Sequence, residues 1–113
     1  MKIIETDNAP KAIGTYSQAV KVNGFLFISG QIPLDPSTME LVEGIENQIN
    51  QVFENINQIL KADGMDFSNV VKLSVLLDDL DHFEKVNEIM ASIFSKPYPC
   101  LLYTSPSPRD PTK

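Results

Sequence analysis

The dipeptide Asn23-Gly24 limits the fold more than any other feature of the chain, because it separates two short runs rich in strand-forming residues, Tyr16-Ser-Gln-Ala-Val-Lys-Val22 and Phe25-Leu-Phe-Ile-Ser29. A type I′ turn needs positive φ at both central residues, which asparagine and glycine tolerate best, so the two runs are predicted to pair as a β-hairpin. With a two-residue loop, opposed positions sum to a constant. Val22 then faces Phe25, Val20 faces Phe27, Gln18 faces Ser29 and Tyr16 faces Gln31. Opposed residues share a sheet face, so that face is apolar beside the turn and polar at the open end. Tyr16, Gln18, Ser29 and Gln31 are predicted to gather there, with Tyr16 in diagonal reach of Ser29.

Pro33 and Pro36 end the strand pattern and open a loop. From Glu43 to Ala62 the residues Ile45, Ile49, Val52, Phe53, Ile56 and Leu60 recur at spacings of three and four, which predicts an amphipathic helix with Gly64 at its C-terminal cap. Val71, Leu73, Val75 and Leu77 alternate as a strand should. Asp81 followed by Glu84 reads as a capping box, and Phe83, Val86, Met90, Ile93 and Phe94 form the stripe of a second helix that Pro97 stops. The predicted order β-β-α-β-α is an α+β layer arrangement, a mixed sheet covered by two helices. Three strands under two helices make a thin sheet. The residues after Pro99 offer no obvious further strand.

Composition excludes several classes. The chain of 113 residues has one cysteine, Cys100, and one histidine, His82, too few for an internal disulfide or a zinc cage. No apolar run approaches the ~18 residues of a membrane span, and no charged-then-apolar leader opens the chain, so a cytoplasmic protein without membrane contact is expected. Residues 1–99 hold seven lysines against fourteen acids and no arginine, a net −7 that lacks the footprint of a phosphate-binding surface. Nucleic acid is not expected as a partner.

Glycine-rich phosphate loops, paired-histidine helices and nucleophile elbows are absent from the sequence. His82 reads as a solvated helix-start residue, Cys100 as an inert thiol without a basic neighbour, and Asp78, Asp79 and Asp81 as charge favoured at a helix N-terminus. Ser29-Gly30-Gln31 is more informative, because glycine at a strand end lets a ligand approach the backbone, although ordinary turn chemistry also accounts for it. Asn87, one position past Val86, is either a surface-edge residue or a site residue.

The motifs Asn8-Ala-Pro10, Ile13-Gly-Thr-Tyr-Ser-Gln18, Phe27-Ile-Ser-Gly-Gln-Ile-Pro33, Val86-Asn87 and Phe94-Ser-Lys-Pro-Tyr-Pro99 occur in the order and spacing of the RidA (YjgF/YER057c/UK114) family, which residues 1–99 resemble throughout. The resemblance implies a chorismate-mutase-like fold, a homotrimer with sites in clefts between subunits, and a cofactor-free, metal-free enamine/imine deaminase. Such an enzyme hydrolyses 2-aminoacrylate and the 2-iminopropanoate or 2-iminobutanoate type of substrate to 2-oxo acids and ammonia. Carried onto this chain, it implies Tyr16 and Ser29 as catalytic residues, Tyr16 lining the cleft and Ser29 with Gly30 forming its strand-end wall. Gly30, Gln31 and Asn87 would bind the substrate.

The sequence departs from the family pattern in two groups. Relatives carry a Pro-small-Arg motif whose arginine clamps the substrate carboxylate, and a glutamate on the last strand that assists addition of water and departure of ammonia. Here the motif reads Pro99-Cys100-Leu101, and the expected glutamate does not appear. Residues 100–113 hold three of the eight prolines and the single arginine, Arg109. They are expected to be a non-family, artefactual tail of the kind that translated adapter sequence produces, leaving 1–99 as an incomplete domain. The expectation is an active full-length parent and an inactive chain as given. The alternative is a non-catalytic small-ligand-binding or regulatory trimer of the same fold.

Overall fold

The computed structural model describes residues 1–104, and the proline-rich segment with Arg109 lies outside the described residues. The described chain is α+β, with two helices and two sheets, in two compact units that divide after Phe67.

In the first unit, β1 (Lys2–Ile4), β2 (Ala19–Val22) and β3 (Phe25–Ile28) form an antiparallel sheet in that order. Asn23 and Gly24 adopt φ of 51° and 82°, as a type I′ turn requires. The pairs Val22↔Phe25 and Val20↔Phe27 follow the register expected from a two-residue loop, and the Ser29 N–H donates to the Gln18 carbonyl at 2.9 Å to carry the ladder one step further. β1 is an addition to the predicted order. Three residues are too few to display an alternation, and its pairing through Ile4↔Ala19 is a long-range contact.

The two faces of this sheet differ. Ile4, Ala19 and Ile28 lie opposite one another on one face, where Ile4, Ala9, Ala19 and Ile59 form a buried cluster with Leu26 and Ile28 packed against it. Ile59 comes from α1 (Ile45–Ala62) and is fully buried, a burial that stabilises by about 1.5–3 kcal/mol. Ile3, Val22, Phe25 and Phe27 occupy the opposite face and are exposed. α1 begins two residues later than its periodicity suggests and ends in a Schellman motif. Gly64 takes φ 70°, its N–H donates to Lys61, and the Met65 N–H donates to Leu60. Asp63, at the cap, meets Lys21 of β2 at 2.9 Å and ties the helix end to the sheet.

In the second unit, β4 (Lys72–Leu76) and β5 (Cys100–Thr104) pair in parallel, connected through α2 (Phe83–Ile93). A parallel pair needs such a crossover, since a tight turn cannot join its ends. The strand at 100–104 corrects the expectation that nothing after Pro99 builds sheet. Leu101, Leu102, Tyr103 and Thr104 are good strand formers, and the prolines begin only at Pro106. The capping expectation is also corrected. Asp79, with extended backbone, caps a 3₁₀ turn at Leu80–His82, its carboxylate accepting the Asp81 N–H at 2.9 Å, and α2 starts only at Phe83. The chain closes a short turn before the α-helix, which moves the cap two residues upstream of the capping-box pattern. Val86, Ile89 and Met90 are the buried face of α2, and Phe83 meets Tyr103 of β5 edge-on at 4.4 Å.

Candidate functional site

The open end of the β2–β3 hairpin carries Ser29, Gly30 and Gln31 beside residues 17 and 18, and Tyr16 precedes Ser17 in the loop that leads into β2. The hairpin register does this, because one step past Ala19↔Ile28 the Ser29 N–H meets the Gln18 carbonyl. The Ser29 hydroxyl donates to the Ser17 carbonyl at 2.6 Å. Its proton is therefore committed, and the oxygen lone pairs can accept a ligand N–H. The Tyr16 ring is half-exposed, and its hydroxyl accepts the Ile13 N–H at 3.3 Å, which leaves the phenolic proton for another acceptor. Beside the ring, Gly14 takes φ 140°, a conformation that L side chains rarely adopt.

Gly30 is exposed, and a Cβ built there would meet nothing within 4 Å. Neither packing nor a left-handed backbone requires glycine at this position. The side-chain amide of Gln31 donates back to the Ser29 carbonyl at 3.1 Å, which closes the strand end on itself. Together these groups offer a half-open polar edge with one donor hydroxyl, one acceptor hydroxyl and an unobstructed backbone.

Asn87 belongs to the second unit, on an exposed position of α2 next to buried Val86. Leu101 lies on β5 opposite Leu73 and is 36% exposed. His82 belongs to the 3₁₀ turn, Asp79 acts as its cap, and Cys100 is an exposed free thiol. Among the described residues no group of three or more His, Cys, Asp and Glu side chains is placed to hold a metal ion. No described helix is long and apolar enough to cross a membrane. Asp35, in the loop after β3, has its carboxyl held below the usual range by hydrogen bonds from the Ser37 hydroxyl and N–H.

Two residues depart from the sequence reading. Gln18, placed there among the polar residues of the open end, is turned inward and 5% exposed. Its amide donates to the carbonyls of Thr6, Ala9 and Pro10, and its oxygen accepts the Thr6 N–H. Asn55 was not singled out by sequence, yet it is fully buried in α1. Its amide donates to the carbonyls of Ile32 and Leu34, just past Gln31, and its oxygen accepts from Gln51. The available signal was its place between Val52 and Ile59 at helical spacings of three and four.

Comparison with known proteins places this arrangement among relatives. The model of the family described as Endoribonuclease L-PSP matches residues 6–105. A RutC family protein of Pyrococcus horikoshii is 49% identical over 112 residues, covering 96% of this chain and 89% of that protein. The mouse protein named 2-iminobutanoate/2-iminopropanoate deaminase is 50% identical over 99 residues, covering 87% of this chain and 73% of its own length. Among solved structures, RidA from an Antarctic Psychrobacter has a TM-score of 0.89 and 49% identity, covering 92% of this chain and 85% of that one.

Proposed function

Because the chain belongs to the Endoribonuclease L-PSP family, which also holds the RidA proteins, we propose that its reaction is the hydrolytic deamination of small enamine and imine acids. The observation that carries this reading is its 50% identity with a protein named for that reaction. Water adds to the carbon of the C=N bond, the C–N bond then breaks, and ammonia and a 2-oxo acid leave. The hairpin end supports the assignment. Ser29 can accept the imine N–H, Tyr16 can donate to an oxygen of the substrate or of the adding water, and Gly30 lets the planar acid lie against the backbone. Gln31 is a further proposed substrate contact at this end, and Asn87 is proposed as a substrate-binding residue of the second unit. The reaction as proposed requires neither a metal nor a cofactor.

The family description names an endoribonuclease, but the charge argues against RNA as the substrate. The chain carries a formal −6, and Tyr16, Ser29, Gly30, Gln31 and Asn87 include no cation to meet a phosphate. The proposed assembly is a homotrimer, supported by the exposed face of Ile3, Val22, Phe25 and Phe27 on a sheet whose other face is the core. The proposed compartment is the cytoplasm, where exposed Cys100 would remain reduced.

Leu101 favours one competing reading. Without an arginine there, a trimer of this fold would bind a small acid without turning it over. A coupled assay decides between them, in which 2-aminoacrylate is generated enzymatically and 2-oxo acid release is followed for the chain and for Leu101→Arg. Acceleration by either protein above the uncatalysed rate supports deamination. Binding of a 2-oxo acid with no acceleration by either establishes the ligand-binding reading. RNA cleavage without 2-oxo acid release overturns both.

A further inference from the structure

Gln18 and Asn55 are the two polar residues buried as whole residues among the described residues, and both are committed to backbone carbonyls of the segments that adjoin the candidate site. We infer that they are positioning residues: Gln18 braces the loop that carries Tyr16, and Asn55 braces the turn that follows Ser29-Gly30-Gln31. The inference rests on the deaminase reading for its kinetic consequence, but the bracing itself stands on geometry.

The Gln18 amide reaches the Pro10 carbonyl at 2.8 Å and the Thr6 carbonyl at 3.0 Å, with the Ala9 carbonyl at 3.3 Å. The return bond from the Thr6 N–H to its oxygen is 2.7 Å. This side chain therefore closes the loop from Pro10 to Gln18, inside which the Ile13 N–H meets the Tyr16 hydroxyl. The backbone carbonyl of the same residue takes the Ser29 N–H, so one residue fixes both the tyrosine loop and the serine strand end. Asn55 acts on the other side of the serine. Its amide donates to Ile32 at 3.3 Å and to Leu34 at 3.1 Å, one on each side of Pro33, and its own oxygen is held by Gln51 at 2.9 Å.

Proline has no N–H, so a chain around Pro10 or Pro33 cannot form a regular ladder, and buried carbonyls there need donors from elsewhere. Burial alone would be served as well by an apolar side chain of similar shape, because replacing a buried polar contact by apolar groups can be nearly neutral. A carboxamide adds direction: each bond fixes where a carbonyl, and the loop attached to it, must lie. Misplacement of a reacting group by about 1 Å can lower turnover about a hundredfold.

The test uses three variants of the full chain in the Leu101→Arg background: Gln18→Met, Asn55→Leu, and Ile89→Val as a core control taken from the buried face of α2 in the second unit. Amide hydrogen exchange and kinetics are both measured well below each variant's Tm. Gln18→Met should speed exchange at Ile13 and Ser29 at least tenfold and lower kcat tenfold or more, with KM within threefold. Asn55→Leu should loosen Gln31 and Leu34 and raise KM tenfold or more, with kcat within threefold. Ile89→Val should lower Tm and change neither exchange at these amides nor the kinetics. Unchanged exchange in Gln18→Met and Asn55→Leu, or the same kinetic loss in all three variants, overturns the inference. If the background protein turns over no 2-aminoacrylate, the deaminase reading falls, and the exchange pattern alone still decides whether the two carboxamides brace these loops.

Discussion

The exposed sheet face makes the proposed assembly open to a quantitative test. Phe25 and Phe27 are 62% and 60% exposed, lie on the face turned away from the α1 core, and stand with ring centroids 6.5 Å apart. An aromatic side chain buries about 150–250 Å² when covered, so each ring still has about 90–150 Å² to lose, or about 2–4 kcal/mol at ~25 cal/mol per Å². With both rings of all three copies covered, six rings give about 12–24 kcal/mol, an upper bound even at its lower end of about 12 kcal/mol, because association entropy and imperfect packing reduce it. One third of that, about 4 kcal/mol, still shifts the assembly equilibrium by about three powers of ten. Phe25→Ser with Phe27→Ser should therefore convert a species of three times the 12.6 kDa protomer mass into monomer at micromolar concentration. Sedimentation equilibrium reads the mass, and circular dichroism checks the fold. The fold should survive, since neither ring joins the buried cluster of Ile4, Ala9, Ala19 and Ile59. A wild-type chain that sediments as a monomer, or a double variant that remains trimeric, refutes the reasoning.

Three further outcomes follow from single residues. Leu101→Arg should raise kcat/KM for 2-aminoacrylate about 10- to 150-fold, the range of one charge-assisted hydrogen bond of about 1.5–3 kcal/mol to the substrate carboxylate; an unchanged value removes the carboxylate clamp from the account. Gly30→Ala should leave Tm within about 2 °C, since its Cβ enters open space, while turnover or 2-oxo acid binding falls at least fivefold; a variant with full function detaches Gly30 from the site. Burial pushes the Tyr103 phenol above its ordinary value of 10, and its hydroxyl is buried with no hydrogen-bond partner among the described residues. The folded state then holds a proton that the unfolded state releases, so this contribution to stability is complete below pH 10 and is lost as the pH rises through the folded pKa. Ultraviolet titration should show a late phenolate that Tyr103→Phe removes, and a titration unchanged by that substitution contradicts the assignment.

How far the sequence carries depends on whether a signal is local. Asn23-Gly24 specifies its turn through φ alone, and the register of the hairpin, including the meeting of Gln18 and Ser29 beyond its last pair, follows from two residues. The α1 stripe and its Schellman end are equally local. β1 and β5 are not. The first is too short to show a period, and the second precedes a proline-rich stretch whose composition hides five strand-forming positions. Asp79 takes the capping role from Asp81 because a 3₁₀ turn intervenes, a choice that both sequence patterns permit.

Gln18 shows why polar character by itself does not identify a ligand-facing residue. Its register position is the expected one, but the direction of its side chain is decided by three carbonyls at residues 6, 9 and 10 whose location no local pattern gives. Asn55 repeats the situation across Pro33. In both cases a proline lies within the segment whose carbonyls are served, and a carboxamide distant in sequence supplies the donors that the ring cannot. A proline-interrupted loop bordering a strand end therefore implies a buried donor elsewhere in the chain. An asparagine on the apolar row of an adjacent helix, or a glutamine at the strand's own beginning, is the residue type able to provide it. By that criterion Gln18 and Asn55 separate from Tyr16, Ser29 and Gln31: the first two have their polar atoms turned onto the chain's own backbone carbonyls, whereas the Tyr16 phenol and Ser29 hydroxyl retain hydrogen-bonding capacity.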